Sequence, residues 1–452
     1  MSTHSSDTSR SADLFARAQH VLPGGVSRNT VLREPHPAYA DSGAGCRVTD
    51  LDGITRIDFS NNMASLIHGH AYPPIVEAVT EQLQRGSGFM LATESEVAYA
   101  EHLCSRSPSF EKVRFMNSGT EAVMVTIKAS RAFTGRPKIA KVEGAYHGAY
   151  DYAEVSQITN PKVWGDADRP NGVPVAHGTP AAALNDVIIL PFNNTQRALE
   201  LLEEHAEELA CVLLDPMPHR VGMNPIEPEF LSAMRDWTTA NGSLLVFDEV
   251  ITYRSDYGGL QMTLGVEPDL TAMGKMIGGG FPVGGVAGRA DVMDLMNPKG
   301  DNYVFPYSGT FSANPISMTA GHIAMRDFDQ EAVERLNKLG DRARKGIAEA
   351  AKASGARACV TGTGSILRVH MKASAPRNFR EAYTSPEALI NHLNIAGGLV
   401  GKMIEDCGLS LDKFEIVCQK KDYEALAEPC AAFGAEFRFN AMGFDNVKYS
   451  PA

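Results

Sequence analysis

The stretch Ala272-Met-Gly-Lys275-Met-Ile-Gly-Gly-Gly280-Phe-Pro-Val sets one lysine between a strand-like run, Leu270–Met273, and a cluster of glycines. No acidic residue stands beside Lys275 to keep it as a surface charge. Glycines let the backbone approach a ligand closely, and an apolar setting makes an amine easier to deprotonate. A Schiff-base lysine requires these conditions, although a lone lysine is more often a snorkelling surface residue.

From about residue 75 onwards, short apolar runs alternate with helical stretches, the pattern of a parallel sheet covered on both faces. The predicted strands are Lys112–Met116, Lys138–Val142, Val187–Leu190, Cys211–Leu214, Leu244–Phe247 and Val283–Ala287. The predicted helices include Asp13–Val21, Thr120–Phe133, Thr195–Glu208, Glu227–Ala240 and Glu331–Ser354. Ser365–Val369 and Phe414–Cys418 are strand-like, and Asp422–Phe433 is helix-like. Residues 160–183 are rich in proline and glycine and predict a long loop that is functional or mobile.

Length and composition narrow the class of protein. At about 100–200 residues per domain, 452 residues predict two or three lobes. We expect an N-terminal arm and part of a small domain in residues 1–74, a large domain in 75–325 and the rest of the small domain in 326–452. A net charge of −12 without a Lys/Arg run disfavours nucleic-acid and anionic-membrane partners.

The sequence also argues against a membrane-spanning protein, a disulfide-stabilised protein and a metalloprotein. No apolar run approaches the ~20 residues that cross a bilayer. The seven cysteines are odd in number and none forms a Cys-x-x-Cys pair, so we expect reduced thiols in a cytoplasmic protein. His68 and His70 lack a third candidate ligand, and we therefore predict no metal site.

Three further motifs place polar groups where strands end. Asp248 follows the apolar run Leu244–Phe247, at the carboxyl edge where open α/β sheets bind ligands, and there it could keep a heteroaromatic nitrogen protonated. Asn117-Ser-Gly-Thr120 leads from a strand into a helix and offers free amides and hydroxyls to an anion. Gly144-Ala-Tyr146-His147-Gly148 offers a ring that could stack on a planar ligand. A helix-capping Asp248, a plain N-cap at Ser118 and a core tyrosine are the alternatives.

Together and in this order, these motifs resemble the class III pyridoxal-phosphate aminotransferases of fold type I. The branch they resemble most holds glutamate-1-semialdehyde aminomutase and the β-amino-acid aminotransferases, and the resemblance runs from about Val21 to Val369. It implies an α/β fold whose large domain has a mostly parallel, seven-stranded sheet covered by helices. It also implies a smaller α+β lobe built from both chain ends, a pyridoxal 5′-phosphate (PLP) cofactor and a homodimer with shared active sites.

The resemblance also implies roles for individual residues. Lys275 would hold PLP as an internal aldimine and then move a proton, Asp248 would pair with the pyridine nitrogen, and Tyr146 would stack on the ring. These three are the implied catalytic residues. The other implied cofactor-binding residues are Val250 on the second ring face, His147, the phosphate ligands Ser118, Gly119 and Thr120, and Thr310 donated by the neighbouring subunit.

Substrate recognition is predicted from two arginines. Arg28 follows a Pro-Gly turn as Ser27-Arg28, which is similar to the β-amino-acid enzymes and differs from the aminomutase pattern Asn-Ser-Pro-Val-Arg. Arg220 lies in Pro218-His-Arg, where the aminomutase has Ala-Gly-Asn. A guanidinium suits a bidentate carboxylate contact, but Arg28 could be a surface residue and Arg220 could only pair with Asp215. Arg254 is a weaker candidate for the same role.

The resemblance therefore implies an aminotransferase that moves an amino group from an amino acid, of the β-amino-acid kind, to a 2-oxo acid. A 2,1-aminomutase needs the same lysine but shifts the amino group within one substrate, and it is the main alternative. A PLP-binding regulatory protein without turnover is the third. The presence of both Lys275 and Asp248 favours turnover.

Overall fold

A computed structural model of the chain describes residues 9–33, 35–383, 414–418 and 435–439. The strands are β1 Ala40–Ala44, β2 Arg47–Asp50, β3 Thr55–Ile57, β4 Lys112–Met116, β5 Lys138–Val142, β6 Val187–Leu190, β7 Leu209–Leu214, β8 Leu244–Asp248, β9 Leu270–Gly274, β10 Gly284–Gly288, β11 Cys359–Thr361, β12 Arg368–His370, β13 Phe414–Cys418 and β14 Ala435–Phe439. The helices are α1 Arg10–Ala18, α2 Asn61–Ala64, α3 Pro73–Arg85, α4 Glu94–Cys104, α5 Gly119–Thr134, α6 Asp151–Glu154, α7 Ala181–Asn185, α8 Thr195–Glu203, α9 Pro228–Asn241, α10 Leu260–Leu264, α11 Ala290–Met293, α12 Pro315–Asp327, α13 Gln330–Ser354 and α14 Phe379–Ala382.

A seven-stranded sheet with the order β4-β10-β9-β8-β7-β5-β6 organises the described chain. β6, β5, β7, β8 and β9 pair in parallel, and only β10 pairs antiparallel with its neighbours. The predicted α/β class and the mostly parallel sheet are therefore confirmed. The sheets β1–β3 and β11–β12 lie outside this large sheet, and the domain boundaries at residues 75 and 326 stay a prediction.

Helices cover both faces of the sheet, which explains its continuous apolar strands. Every residue of β7 is buried. Leu213 packs in the core on the side of α5, whereas Val212 and Leu214 pack in the core formed with α8 and α9. Because the side chains of a strand alternate between faces, the odd-numbered and the even-numbered positions of β7 must both be apolar.

The predicted elements agree with the structure except at certain ends. The predicted helix Thr195–Glu208 ends at Glu203, because the backbone turns through His205 to bring Leu209 into β7. The predicted strand Ser365–Val369 begins only at Arg368, because Gly362 and Gly364 adopt left-handed turn conformations just before it. The predicted strand Phe414–Cys418 is present as β13, and the predicted helix Asp422–Phe433 lies outside the described residues.

Arg380 on α14 fixes the proline- and glycine-rich loop to the end of β5. Its guanidinium forms an ion pair with the buried Glu143 at 2.9 Å and donates to the carbonyls of Trp164, Gly165 and Asp166 at 2.8–2.9 Å. The guanidinium also lies 4.9 Å from the centroid of the Trp164 ring. The start of the predicted loop is thus held by specific contacts.

No helix among the described residues is long and apolar enough to pass through a lipid bilayer.

Arg380→Ala should lower the free energy of unfolding by about 3 kcal/mol or more, because it leaves the Glu143 carboxylate buried without its partner. Arg377, on the same segment, has an exposed guanidinium that pairs with Glu381 and serves as the matched control. Arg377→Ala should change stability little, because exposed ion pairs contribute little. Chemical denaturation of the two variants checks this, and equal losses would show that the Glu143–Arg380 pair has no special role.

Candidate active site

Five chain segments bring polar side chains to the carboxyl edge of the sheet. β8 ends at Asp248, β9 is followed by Lys275, and β7 is followed by Asp215. β5 leads into the Gly144–Gly148 turn, and β4 leads into Ser118 at the start of α5. Parallel strands end at one edge, so residues distant in sequence become neighbours there.

A buried hydrogen bond joins Asp248 to His147. His147 Nδ1 lies 2.8 Å from Asp248 Oδ2, and the backbone N–H of Val250 donates to Asp248 Oδ1 at 3.1 Å. Burial lowers the pKa of His147, although the charge of Asp248 opposes this. A neutral imidazole beside a carboxylate carries its proton on Nδ1, so His147 is assigned as the donor. His147 Nε2 is buried and has no partner within the described chain.

Lys275 faces two carboxylates at this edge. Burial lowers the pKa of Lys275, and the charges of Asp248 and Asp215 act in the opposite direction. Burial raises the pKa of Asp215 well above its usual range, and the neighbouring charge of Asp248 adds to this rise. Lys275 has a φ of 50°, a conformation that few non-glycine residues adopt and that occurs at strained functional positions.

The start of α5 forms a cradle in which Ser118 is also the N-cap. Ser118 Oγ accepts from the backbone N–H of Glu121 at 3.1 Å, while Glu121 Oε2 accepts from the backbone N–H of Asn117 at 2.6 Å. This reciprocal capping fixes the helix end whose first-turn N–H groups point outwards. The N-cap interpretation and the anion-site interpretation of Ser118 are thus compatible, since Gly119 and Thr120 also supply N–H groups.

Two glycines allow the other segments to approach this cradle. A Cβ on Gly119 would lie 2.9 Å from both γ-carbons of Val250, so only glycine lets the end of β8 pack there. Gly148 has a φ of 92°, and a Cβ there would lie 2.6 Å from Thr120 Oγ1. The structure therefore brings together the predicted residues of four sequence segments, namely Ser118, Gly119, Thr120, Tyr146, His147, Asp248, Val250 and Lys275.

Arg220 and His219 lie against the half-exposed ring of Tyr146. The Arg220 guanidinium carbon lies 4.9 Å from the centroid of the Tyr146 ring, and Arg220 donates to the carbonyl of Gln157 at 3.0 Å. The His219 ring lies edge-on to Tyr146 at 6.1 Å, and Arg368 donates to the His219 carbonyl. Asp215 accepts from the backbone N–H of Met217 at 2.9 Å, and the alternative in which it also pairs with Arg220 stays open.

His219 is neutral in this group. Burial, together with the positive charges of Arg220, Lys275 and Arg368, lowers its pKa to about 3. Its Nδ1 is buried and unpartnered within the described chain. The sequence motif Pro218-His-Arg contained His219, but only the fold shows its contact with Tyr146. Arg368 was missed because a charged residue within a short strand gives no indication of a partner 149 residues away.

Arg28 contacts the site through an intermediate turn. Its guanidinium is exposed and donates to Asn62 Oδ1 at 2.9 Å. All four residues of α2, Asn61–Ala64, have positive φ, so α2 is a left-handed turn. This turn packs against the Lys275–Gly278 segment, so Asn62 connects Arg28 to the part of the chain that begins at Lys275.

The remaining candidates lie elsewhere. Arg254 is partly buried and donates to Ser365 Oγ at 3.0 Å, and burial lowers its pKa to about 10. Its weaker candidacy for substrate binding stays a prediction. Thr310 is exposed, and its predicted role in a neighbouring subunit stays a prediction. His68 bonds the Ala324 carbonyl and His70 bonds Asp58, each at 2.8 Å. The described residues contain no cluster of three or more metal-ligating side chains.

Comparison with known proteins identifies the family. A sequence model of the class-III aminotransferases matches residues 30–409. The chain belongs to the class-III aminotransferases. The glutamate-1-semialdehyde 2,1-aminomutase of Methanothermobacter thermautotrophicus is 40% identical over 383 residues, which cover 84% of this chain and 88% of that protein.

Solved structures agree with this assignment of fold and cofactor. An ω-transaminase from Sphaerobacter thermophilus is 48% identical with a TM-score of 0.83, covering 87% of this chain and 91% of that one. A β-phenylalanine aminotransferase from Variovorax paradoxus is 32% identical with a TM-score of 0.75, covering 94% and 93%. A transaminase with PLP bound is 39% identical with a TM-score of 0.77, covering 87% and 98%. The chain is thus a PLP-dependent class-III aminotransferase of fold type I.

The residues at the carboxyl edge fit this cofactor. Asp248 offers a buried carboxylate that a protonated ring nitrogen would neutralise, and Lys275 offers an amine whose pKa burial lowers. The start of α5 offers N–H groups to a phosphate. The buried Nε2 of His147 has no partner within the described chain and is a further polar atom available to a bound group. Aldehyde, ring nitrogen and phosphate thus each have a chemically matched group.

Gly148→Ala should weaken PLP affinity about tenfold and lower stability by about 2 kcal/mol, since the new Cβ meets Thr120 and strains the left-handed backbone. Gly135 at the end of α5 has a φ of 70° and open space around it, so it is the matched control for backbone strain alone. Gly135→Ala should cost about 1 kcal/mol and leave PLP affinity unchanged. Titration of the apo-proteins with PLP and thermal unfolding measure both effects. Equal PLP affinity in the two variants would contradict the close approach of the turn to Thr120.

Proposed function

We propose that this enzyme transfers an amino group from an amino acid of the β-amino-acid kind to a 2-oxo acid. The observation that carries the proposal is the guanidinium of Arg220 beside Tyr146, with His219 and Arg368 behind it. A cationic group at this rim suits a substrate carboxylate held at a distance from the reacting amine. The β-phenylalanine aminotransferase among the structural neighbours supports the same substrate class.

Each residue of the site has a task in this proposal. When bound, PLP supplies an electron sink for the charge that develops on the substrate carbon. Asp248 holds the proton of the ring nitrogen, and His147 orients Asp248 by donating to Oδ2. Lys275 Nζ anchors the cofactor and moves the proton to and from the substrate carbon, a role that its lowered pKa favours.

The remaining cofactor contacts hold the ring and the phosphate. Tyr146 and Val250 cover the two faces of the ring, and Ser118, Gly119 and Thr120 bind the phosphate. Arg28 and Arg220 are the carboxylate-binding residues, and Asn62 orients Arg28. The amino-acid and 2-oxo-acid partners follow from this arrangement, and cytoplasmic location stays a prediction.

We also infer a homodimer in which Thr310 completes the phosphate site of the partner subunit. Several large apolar side chains of the described protomer are exposed to solvent, namely Phe59 at 93%, Met90 at 101%, Leu91 at 80% and Phe311 at 65%. A monomer rarely leaves such side chains uncovered in groups, and Phe311 is adjacent to Thr310. Burial of this surface by a second copy would bring Thr310 into an interface.

The aminomutase alternative has support of its own. Relatives named glutamate-1-semialdehyde 2,1-aminomutase are 37–40% identical over more than four-fifths of the chain. The Lys275 and Asp248 chemistry serves both reactions. The difference lies at the rim, where the aminomutase pattern has Ala-Gly-Asn and this chain has His219 and Arg220.

Purified holoenzyme incubated with a panel of α- and β-amino acids and either 2-oxoglutarate or pyruvate should form glutamate or alanine, fastest with β-amino acids. Lys275→Ala, prepared identically, should form neither, because Nζ is the proton carrier. Chromatography of the amino-acid products measures the outcome. Isomerisation of glutamate-1-semialdehyde without any amino transfer from the panel would establish the aminomutase reaction instead.

Arg220→Met should raise KM for a β-amino-acid donor about tenfold or more, because a charge-assisted contact contributes roughly 1.5–3 kcal/mol. The matched control is an amine of similar shape without a carboxylate, such as 1-phenylethylamine, tested on the same variant. Its kcat/KM should change little, since it offers Arg220 no anion. Steady-state kinetics with both donors decides this. An equal loss for both donors would show that Arg220 supports Tyr146 rather than a carboxylate.

A further inference from the structure

Lys141 is a buried cation that the proposed mechanism does not use. It lies on β5 with no solvent exposure, and its Nζ donates to the carbonyls of Ala145 at 3.0 Å and Val155 at 2.7 Å. No carboxylate among the described residues comes within ion-pair distance of it. Lysine is almost never fully buried without such a partner, so this position calls for a specific role.

Of the two carbonyls that accept from Lys141, one lies within the turn that carries Tyr146 and His147, and the other lies in a neighbouring segment of the chain. Ala145 immediately precedes Tyr146, and Val155 precedes Ser156, whose carbonyl accepts from the N–H of Gly144 at 2.9 Å. The ammonium therefore joins the two chain segments that form the base of the turn. The last two residues of the turn make contacts within the site. His147 forms a hydrogen bond with Asp248, and Gly148 packs closely against Thr120. Movement at Ala145 would displace both contacts.

The charge of Lys141 acts on His147. Burial and the charge of Arg220 together lower the pKa of Lys141 to about 7, against the opposing charge of Glu154. The charge of Lys141 in turn helps to lower the pKa of His147, against the effect of Asp248. A deprotonated amine still has two N–H groups for its two carbonyl acceptors. Loss of the proton thus removes the charge and keeps both hydrogen bonds.

We propose that Lys141 is a positioning residue for PLP: its hydrogen bonds to Ala145 and Val155 hold the Gly144–Gly148 turn, and it places a buried positive charge at the base of that turn. This inference rests on the roles given to His147 and Asp248 in the proposed function. The two parts are separable, because substitution can remove the charge with or without the donors.

The test compares Lys141→Met, which lacks charge and donors, with Lys141→Gln, which keeps two N–H donors. Lys138→Met is the matched control, since Lys138 lies on the same strand and its Nζ contacts the Asn185 carbonyl at the far end. Each protein is studied as holoenzyme without amino acid, by PLP affinity and by the pH midpoint of the cofactor absorbance. Thermal unfolding of the apo-proteins is measured in parallel.

Lys141→Met should weaken PLP affinity about tenfold. Both Lys141 variants should move the pH midpoint of the cofactor absorbance upward by about half a pH unit or more, because the loss of a nearby positive charge makes protonation of the bound cofactor easier. Lys141→Gln should lose less affinity than Lys141→Met, and Lys138→Met should change neither quantity.

The inference is wrong if Lys141→Met has the wild-type PLP affinity and the wild-type absorbance midpoint. It is also wrong if this variant loses only apo-protein stability, because Lys141 would then have a purely structural role. If Lys141→Met does not fold, Lys141→Gln decides, and a wild-type midpoint in that variant overturns it. These readouts need no turnover. A wild-type enzyme that binds PLP but fails to transfer amino groups would overturn the proposed function alone.

Discussion

The carboxylate of Asp248 is the group around which the site is arranged. It lies at the end of a strand whose every residue is buried, where an uncompensated charge would be costly. His147 and the N–H of Val250 donate to its two oxygens, and Lys275 supplies a nearby positive charge. Asp215 cannot add a second negative charge cheaply, because burial and Asp248 raise its pKa well above its usual range. Asp248, which accepts from two donors, is therefore the carboxylate that we expect to hold a cationic ring nitrogen.

The strands and the strand-end residues could be predicted because they follow from local patterns. Nearly continuous apolar runs identified β7 and β8, and the polar residues after them had to lie at one sheet edge once the strands were parallel. The N-cap role of Ser118 also follows from its motif, and its role in anion binding stays a prediction. Long-range partners could not be predicted: Arg368 with His219, Arg254 with Ser365 and Arg380 with Glu143 have no local signature.

Element ends were predicted less well for a physical reason. Thr195–Glu203 stops before its apolar pattern does, because the chain must turn to reach β7. Glycine conformations delay the start of β12 in the same way. In both places the position of the next strand decides the end, and that position is tertiary information. The left-handed turn at Asn61–Ala64 is even harder to predict from the sequence. Only two of its four residues are asparagines, the non-glycine type that tolerates positive φ best.

That turn bears on how one fold can host both transfer and isomerisation. Both reactions need the same proton movement at Lys275, so the difference must come from groups that hold the rest of the substrate. Four consecutive positive φ angles are strained, and they persist here because Asn61 donates to the Leu66 carbonyl at 2.6 Å and Asp58 accepts from the N–H groups of Ser60 and Asn61. The strained turn presents Asn62 to Arg28 on one side and packs on the Lys275–Gly278 segment on the other. In the proposed function Arg28 binds a substrate carboxylate, and this turn would then connect the placement of that carboxylate with the segment that begins at Lys275. A change in the turn would alter carboxylate placement without altering the chemistry.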